Sequence, residues 1–281
     1  MLIPFKLLFD NILYVQRMIV TVGSTWLLSH LDDPNVIIID ARGVMPYRFG
    51  HINNALPLSI EHVISIAPNG ANLVIDRSLA EEVFTNLGID DSKAVVVYGE
   101  YMDPSAARIA WTLMYHGHTN VKILDIGLSE WQISGLPVTR QISTRKEQLN
   151  TNVRFKSKIN PTIRADADMI KARQQLQNQS SIVIVDARSP IEYMQARIPG
   201  SILDNWEEGL GDNGEMMKNK EELERDFMEK QIPKDKEIIC YCHSGARASH
   251  KYLQFKQAGY NNVKVYDGSI IDWAQRHNPI R

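Results

Sequence analysis

Cysteine is nearly absent from this chain of 281 residues, which has only Cys240 and Cys242. Two positions apart, they are too close for an ordinary structural bridge, and a disulfide framework is excluded. A reducing, cytoplasmic setting fits this usage. Charge of one sign is also lacking. The formal net charge is −2, so neither nucleic acid nor an anionic membrane is implied as a partner. Long apolar runs are missing as well. Near the N-terminus, Leu7-Leu8-Phe9 and Ile12-Leu13-Tyr14-Val15 are interrupted by Asp10, Asn11, Gln16 and Arg17, and no small-residue cleavage site follows. Residues 1–17 are therefore expected to be an N-terminal extension on the surface, with domain-like sequence from Met18 onward. No Cys/His set has metal-ligand spacing, and no metal or organic cofactor is expected.

What the chain does have is apolar residues in normal amount, 44%, and an internal repeat. Its length suits one large domain or two ordinary ones. Thr119-Asn120-Val121-Lys122-Ile123-Leu124-Asp125 matches Asn261-Asn262-Val263-Lys264-Val265-Tyr266-Asp267. Trp131 and Trp273 follow at the same distance, as do Pro137 and Pro279. Upstream, Val36-Ile37-Ile38-Ile39-Asp40-Ala41-Arg42 matches Ile182-Val183-Ile184-Val185-Asp186-Ala187-Arg188. Matches in the same order across two long stretches argue for duplication. The β-branched runs at 36–39, 94–97, 182–185 and 238–239 suit strands buried on both faces. Between them, Ser78 to Leu87 reads as a helix with Ser78 as N-cap and Gly88 past its end. Lys220 to Lys230 reads as another. Beyond residue 245, Ala248, Tyr252 and Phe255 share one helical face that Gly259 can stop. The expected fold is α/β, two tandem domains, each a mainly parallel sheet flanked by helices. The expected division is 1–17 extension, 18–140 first domain, 141–160 linker and 161–281 second domain. The linker region is polar, with Arg145, Lys146, Arg154, Lys156 and Lys158. It reads as a solvated linker, with a basic nucleic-acid patch as the alternative.

The chemistry concentrates at Cys242-His243-Ser244-Gly245-Ala246-Arg247, directly after the apolar Ile238-Ile239-Cys240-Tyr241. In open α/β sheets, function lies beyond the carboxyl ends of the strands. A tight loop from His243 to Arg247 can turn backbone N–H groups toward one point, and a following helix adds its dipole. Gly245 permits the curvature. Arg247 adds full positive charge, and together these favour an anionic sulfur on Cys242. The plain alternative is a small buried hydrophobe. Cys240, inside the strand, reads as core packing; the sharper alternative is a resolving thiol for Cys242. In the first copy the equivalent stretch, Val96 to Pro104, has no cysteine, and Glu100 and Asp103 would oppose an anion. Only the second copy can run thiol chemistry.

These pieces resemble a tandem-domain rhodanese of the sulfurtransferase family, from about Val22 to Arg281. The matching motifs are Asp40-Ala41-Arg42 and Gly50-His51-Ile52-Asn53-Asn54-Ala55 in the first copy. In the second they are Asp186-Ala187-Arg188, Arg197-Ile198-Pro199-Gly200-Ser201 and the Cys242 loop. The resemblance implies a double displacement, with Cys242 taking the outer sulfur of thiosulfate or 3-mercaptopyruvate. The persulfide then gives it to cyanide, a small thiol or a thioredoxin-like protein. His243, Ser244, Gly245, Ala246 and Arg247 would bind the donor. Arg188 would either join them or form a salt bridge that holds the loop. Asp186 reads as a structural acceptor and not as a general base. Two departures from the family pattern are Arg197, where histidine is usual, and Ser269, where a second glycine is usual after Asp-Gly. Two rivals remain. A cysteine phosphatase or arsenate reductase needs five residues between Cys and Arg, and here there are four. A sulfur-relay module would instead pass its sulfur to one protein partner.

Overall fold

The structure is a computed structural model that describes residues 20–143, 154–175 and 182–281. The extension expected over 1–17 and the basic residues Arg145 and Lys146 lie outside the described residues. Each β-branched run becomes a central strand, one residue longer than the run at 36–39, 94–97 and 182–185 and three longer at 238–239. In the first half the strands are β1 (Thr21–Val22), β2 (Val36–Asp40), β3 (Leu56–Pro57), β4 (Ala94–Tyr98) and β5 (Val121–Leu124). They form a parallel sheet in the order β1-β5-β4-β2-β3. The second half repeats this with β6 (Arg164–Ala165), β7 (Ile182–Asp186), β8 (Ile202–Leu203), β9 (Glu237–Tyr241) and β10 (Val263–Tyr266). Their order is β6-β10-β9-β7-β8, again parallel. Even the register repeats: Asp40 lies beside Tyr98, and Asp186 beside Tyr241. Both tryptophans of the repeat are buried, and each donates its indole N–H to a proline carbonyl, Trp131 to Pro137 at 3.0 Å and Trp273 to Pro279 at 2.7 Å. Two small antiparallel pairs, 51–52 with 138–139 and 64–66 with 72–74, occur in the first half.

Six helices matter below: α1 (Arg77–Asn86), α2 (Ser105–Tyr115), α3 (Pro190–Gln195), α4 (Lys220–Glu229), α5 (Ala246–Gln257) and α6 (Ser269–Gln275). α1 begins one residue before the expected Ser78. Asp76 caps it, because its carboxylate accepts the Leu79 N–H at 2.9 Å. α4 follows Asn219 in a capping box with Glu222. The two halves meet where α2 packs on α5. Residues 106–114 of α2 and 248–255 of α5 are all buried, as expected for helices enclosed between two sheets. Val20 N–H reaches across to Gln257 Oε1 at 3.1 Å, and Asn69 Nδ2 to Asp272 Oδ1 at 2.7 Å.

The expected solvated linker is not one over its described end. Residues 154–158 alternate outward and inward, which buries Phe155 and Ser157 and exposes Arg154, Lys156 and Lys158. Phe155 packs edge-on to Phe84 at 5.0 Å, and backbone bonds run from Lys158 to His116 and from Asn160 to Tyr115. One aromatic ring finds a hydrophobic slot in the first domain and carries its polar neighbours with it. No helix among the described residues is long and apolar enough to cross a membrane.

Candidate active site

β9 ends at Tyr241, α5 begins at Ala246, and the four residues between them make the turn. Cys242 is thus at the carboxyl end of a central strand and just before a helix N-terminus, where the backbone dipoles favour negative charge. Its side chain is almost enclosed, at 1% exposure. Gly245 N–H donates to Sγ at 3.1 Å. Gly245 has φ +96, and an added Cβ would collide with Arg108 Nη1 and come within 2.7 Å of Asp267 O. Glycine is required there both for conformation and for space. Ser249 ties the turn down by donating to Gly245 O at 2.9 Å.

The other loop residues expected at the site divide. Ser244 is half-buried and His243 is exposed. Ala246 and Arg247 belong to the first turn of α5. The Arg247 guanidinium is not open: it grips Glu192 of α3 through two bonds of 2.7 and 2.8 Å. Arg247 and a capping interaction with Ser189 hold the Glu192 carboxyl down at about 2. Glu192 therefore neutralises the cation that the loop sequence advertises.

Arg188 shows how the frame is built. Its Nε and Nη2 clasp Asp186 at 2.9 and 2.6 Å, and Nη2 also reaches Ala196 O. Asp186 accepts the Tyr241 hydroxyl at 2.6 Å and the Arg188 N–H at 3.0 Å. The first copy has the same set. Arg42 clasps Asp40 at 2.9 and 2.6 Å, reaches Gly50 O, and Tyr98 donates to Asp40 at 2.7 Å. An arrangement kept where there is no thiol serves the fold. Cys240 is fully buried among core side chains, and burial pushes its thiol up.

Three contributors were not read from the sequence. Glu192 is one. Ser269, noted only as a departure in backbone geometry, is fully buried and accepts the Cys242 N–H on its Oγ at 3.0 Å. The third comes from the other domain. Arg108, on α2, is fully buried behind Gly245, and none of Nε, Nη1 or Nη2 has a hydrogen-bond partner. Its nearest acid is Asp267, 4.0 Å from Nη2. That carboxylate is also held by Arg164 at 2.8 Å and by Val74 N–H at 2.7 Å. Burial pushes the Arg108 guanidinium down, opposed by Asp267 and by the Cys242 sulfur. The sequence signal for Arg108 was a single charge inside the apolar run Ser105-Ala106-Ala107-Arg108-Ile109-Ala110-Trp111.

Comparison with known proteins identifies the family. Relatives of similar length include the sulfur carrier protein TtuD of Thermus thermophilus, 28% identical over 276 residues, 90% of this chain and 93% of that one. The 3-mercaptopyruvate sulfurtransferase of Escherichia coli is 29% identical over 277 residues, 91% of this chain and 95% of that one. The solved E. coli 3-mercaptopyruvate enzyme SseA superposes with a TM-score of 0.75 at 28% identity, over 89% of this chain and 98% of its own. EanB with ergothioneine superposes with a TM-score of 0.77, at 20% identity, over 92% of this chain and 69% of its own, a likeness of fold alone. The rhodanese-like domain matches twice, over residues 24–134 and 169–276, and the chain belongs to the rhodanese family.

Proposed function

We propose that the chain, a sulfurtransferase, carries a sulfane sulfur from thiosulfate or 3-mercaptopyruvate to a thiophilic acceptor as a persulfide on Cys242. The observation that carries this reading is the Cys242 sulfur, enclosed before the α5 N-terminus and accepting the Gly245 N–H. With thiosulfate, the Cys242 thiolate attacks the outer sulfur. The new S–S bond forms as the donor's S–S bond breaks, and its electron pair leaves on sulfite. In the second step the acceptor takes the outer sulfur, and the electron pair of the breaking S–S bond returns to Sγ. Two covalent half-reactions of this kind give ping-pong kinetics. Both leave negative charge in the loop, where Gly245 N–H and the helix dipole face it. Arg247 is matched by Glu192. We therefore assign the unbalanced positive charge to Arg108, lent by the first domain through α2. Arg188 is assigned as a brace for the strand ends, and His243 and Ser244 line the mouth of the loop.

A protein acceptor is the second reading, and the relative named as a sulfur carrier protein favours it. Intact mass after exposure to thiosulfate, and separately to 3-mercaptopyruvate, tests the main reading. Wild type should gain about 32 Da, the mass of one sulfur, and lose it to cyanide, whereas Cys242→Ala should gain nothing. The donor that loads faster names the substrate. Sulfur uptake without turnover to cyanide would move the assignment to a protein relay. No uptake from either donor would sink the proposal.

A further inference from the structure

Each half sends the segment between its edge strand and the next helix across to the other half. These segments meet the strip that follows the last strand of the other sheet, 125–127 in the first copy and 267–272 in the second. In the first copy the closure is backbone to backbone. Gly127 N–H donates to Gly214 O at 3.2 Å, Met216 N–H donates to Asp125 O at 2.7 Å, and Ile126 and Glu215 form an antiparallel bridge. Gly214 lies so close that an added Cβ would fall inside the Glu130 side chain. In the second copy, the one with the reacting thiol, the visitor is the hairpin of 64–66 with 72–74. Val74 N–H donates to Asp267 Oδ2 and Asn69 Nδ2 to Asp272 Oδ1, each at 2.7 Å. Both bonds end on side-chain carboxylates. The copy without chemistry is sealed, and the copy with chemistry is latched.

The strip that the hairpin grips also carries the Cys242 loop. Ile270 N–H donates to Cys242 O at 3.1 Å, and Asp267 O lies directly behind Gly245. Hairpin and loop therefore lie along one strip, and Cys242 is left at 1% exposure. A single side chain fastens the hairpin tip. Asn69 Oδ1 accepts the Ala71 N–H at 3.2 Å, which shapes the turn, while Nδ2 holds Asp272. Ala71 is fully buried, whereas Ser65, Ile66, Pro68 and Gly70 are exposed. A two-stranded hairpin is marginal by itself, so its position depends on what its tip holds. We propose that Asn69 is a positioning residue that sets acceptor specificity. Its bond to Asp272 keeps the hairpin across the Cys242 loop, so that small nucleophiles reach the sulfur directly and a protein thiol must first break that bond. What is transferred rests on the persulfide reading above; the closure does not.

The outer sulfur of a persulfide stands about 2 Å beyond Sγ. Cyanide, two atoms long, meets it inside the enclosure and leaves as thiocyanate. A protein acceptor brings its thiolate on a broad surface. That thiolate must bond to the outer sulfur while the S–S electron pair returns to Sγ, and the persulfide then belongs to the acceptor. The hairpin stands in the way of the second approach only. Such a reaction runs through the open fraction of the latch. Loss of one hydrogen bond to a charged group raises that fraction about tenfold.

The test compares wild type, Asn69→Asp and Asn69→Ala. Asn69→Asp keeps the oxygen that accepts the Ala71 N–H and sets two carboxylates against each other at the latch. Asn69→Ala removes both bonds. Cys242 is alkylated in the unloaded protein with iodoacetamide, a small probe, and with a polyethylene-glycol maleimide, a bulky one. Cys240 is buried and stays silent, with Cys242→Ala as the control. In both variants the bulky reagent should react about tenfold faster, the scale of the lost hydrogen bond, while iodoacetamide keeps its wild-type rate. Single-turnover unloading of thiosulfate-loaded protein should split the same way, faster to reduced thioredoxin and unchanged to cyanide. A bulky reaction that stays at the wild-type rate in either variant overturns the proposal. So does a rise of equal size with both reagents, which would mean a general loosening of the loop. If wild type takes up no sulfur, the persulfide reading fails by itself, and the ratio of the two alkylation rates still decides the role of Asn69.

Discussion

In the first domain the loop after β4 has six residues, 99–104, and ends on Pro104; in the second the loop after β9 has four, 242–245, and ends on Gly245. Around these loops the frames agree. Tyr98, Asp40 and Arg42 repeat as Tyr241, Asp186 and Arg188, nearly distance for distance. His51 stacks on Tyr47 at 3.6 Å, and Arg197, the departure from the family pattern, covers Tyr193 at 4.8 Å in its place. The longer loop turns Glu100 back onto Arg42 at 3.2 Å and onto the Ser129 hydroxyl. The shorter one turns a thiol toward the Gly245 N–H. The comparison teaches that the strand-end brace is architecture, and that loop length and a single glycine decide whether chemistry can be mounted on it.

The largest effect should come from breaking the brace in both copies. Arg42→Met and Arg188→Met each strand a fully buried carboxylate and should each cost about 3–5 kcal/mol of folding stability in denaturant titrations. If the roles are the same, Arg188→Met keeps its sulfur loading per folded molecule. Loading lost only in Arg188→Met would make Arg188 a donor ligand and end the equivalence. Next in size is Arg108→Met, which removes the cation that the first copy lends to the second. Loading should fall about tenfold to a hundredfold, the scale of losing an interaction with a buried anion. Thermal stability should hold or rise, because an unsatisfied buried charge is removed. Unchanged loading would reduce the first domain to a wall.

Much of this was legible in the sequence, and the rest was not for physical reasons. β-branched runs fixed the strands, because a strand buried on both faces must be apolar throughout. The paired tryptophans and prolines revealed the duplication before any packing was known. Cys242, Gly245 and the helix after them were readable because a turn between strand and helix has local grammar. The partners Glu192, Ser269 and Arg108 come from three other segments and reach the loop only through tertiary contact. The Arg188 alternatives could not be separated locally, since the identical Arg42 had first to be seen clasping Asp40. Phe155 misled because its neighbours are polar, and one inward ring outweighed them. Ser78 lost the N-cap to Asp76 by a shift within the usual uncertainty of helix ends.

The smallest expected effect sharpens the comparison most directly. Where the second copy has Ser189 and Glu192 before and within α3, the first has Gly43 and Pro46. Only the copy with a cationic loop residue carries a carboxylate to meet it. Glu192→Gln keeps a residue able to complete the capping box and removes the charge facing Arg247. The loop then gains one net positive charge. Thiosulfate loading, from a dianionic donor, should rise about two- to fivefold, the scale of a partly exposed ion pair. Acid stability supplies the second readout. The Glu192 carboxyl is depressed in the fold from 4.5 to about 2, so its stabilisation is complete above pH 4.5 and fades as pH falls toward 2. Thermal melts across that window should show a wild-type decline that is shallower in Glu192→Gln. A variant that loads thiosulfate no faster, yet shows the shallower acid decline, would leave Glu192 as a tether for Arg247 with no hand in donor choice.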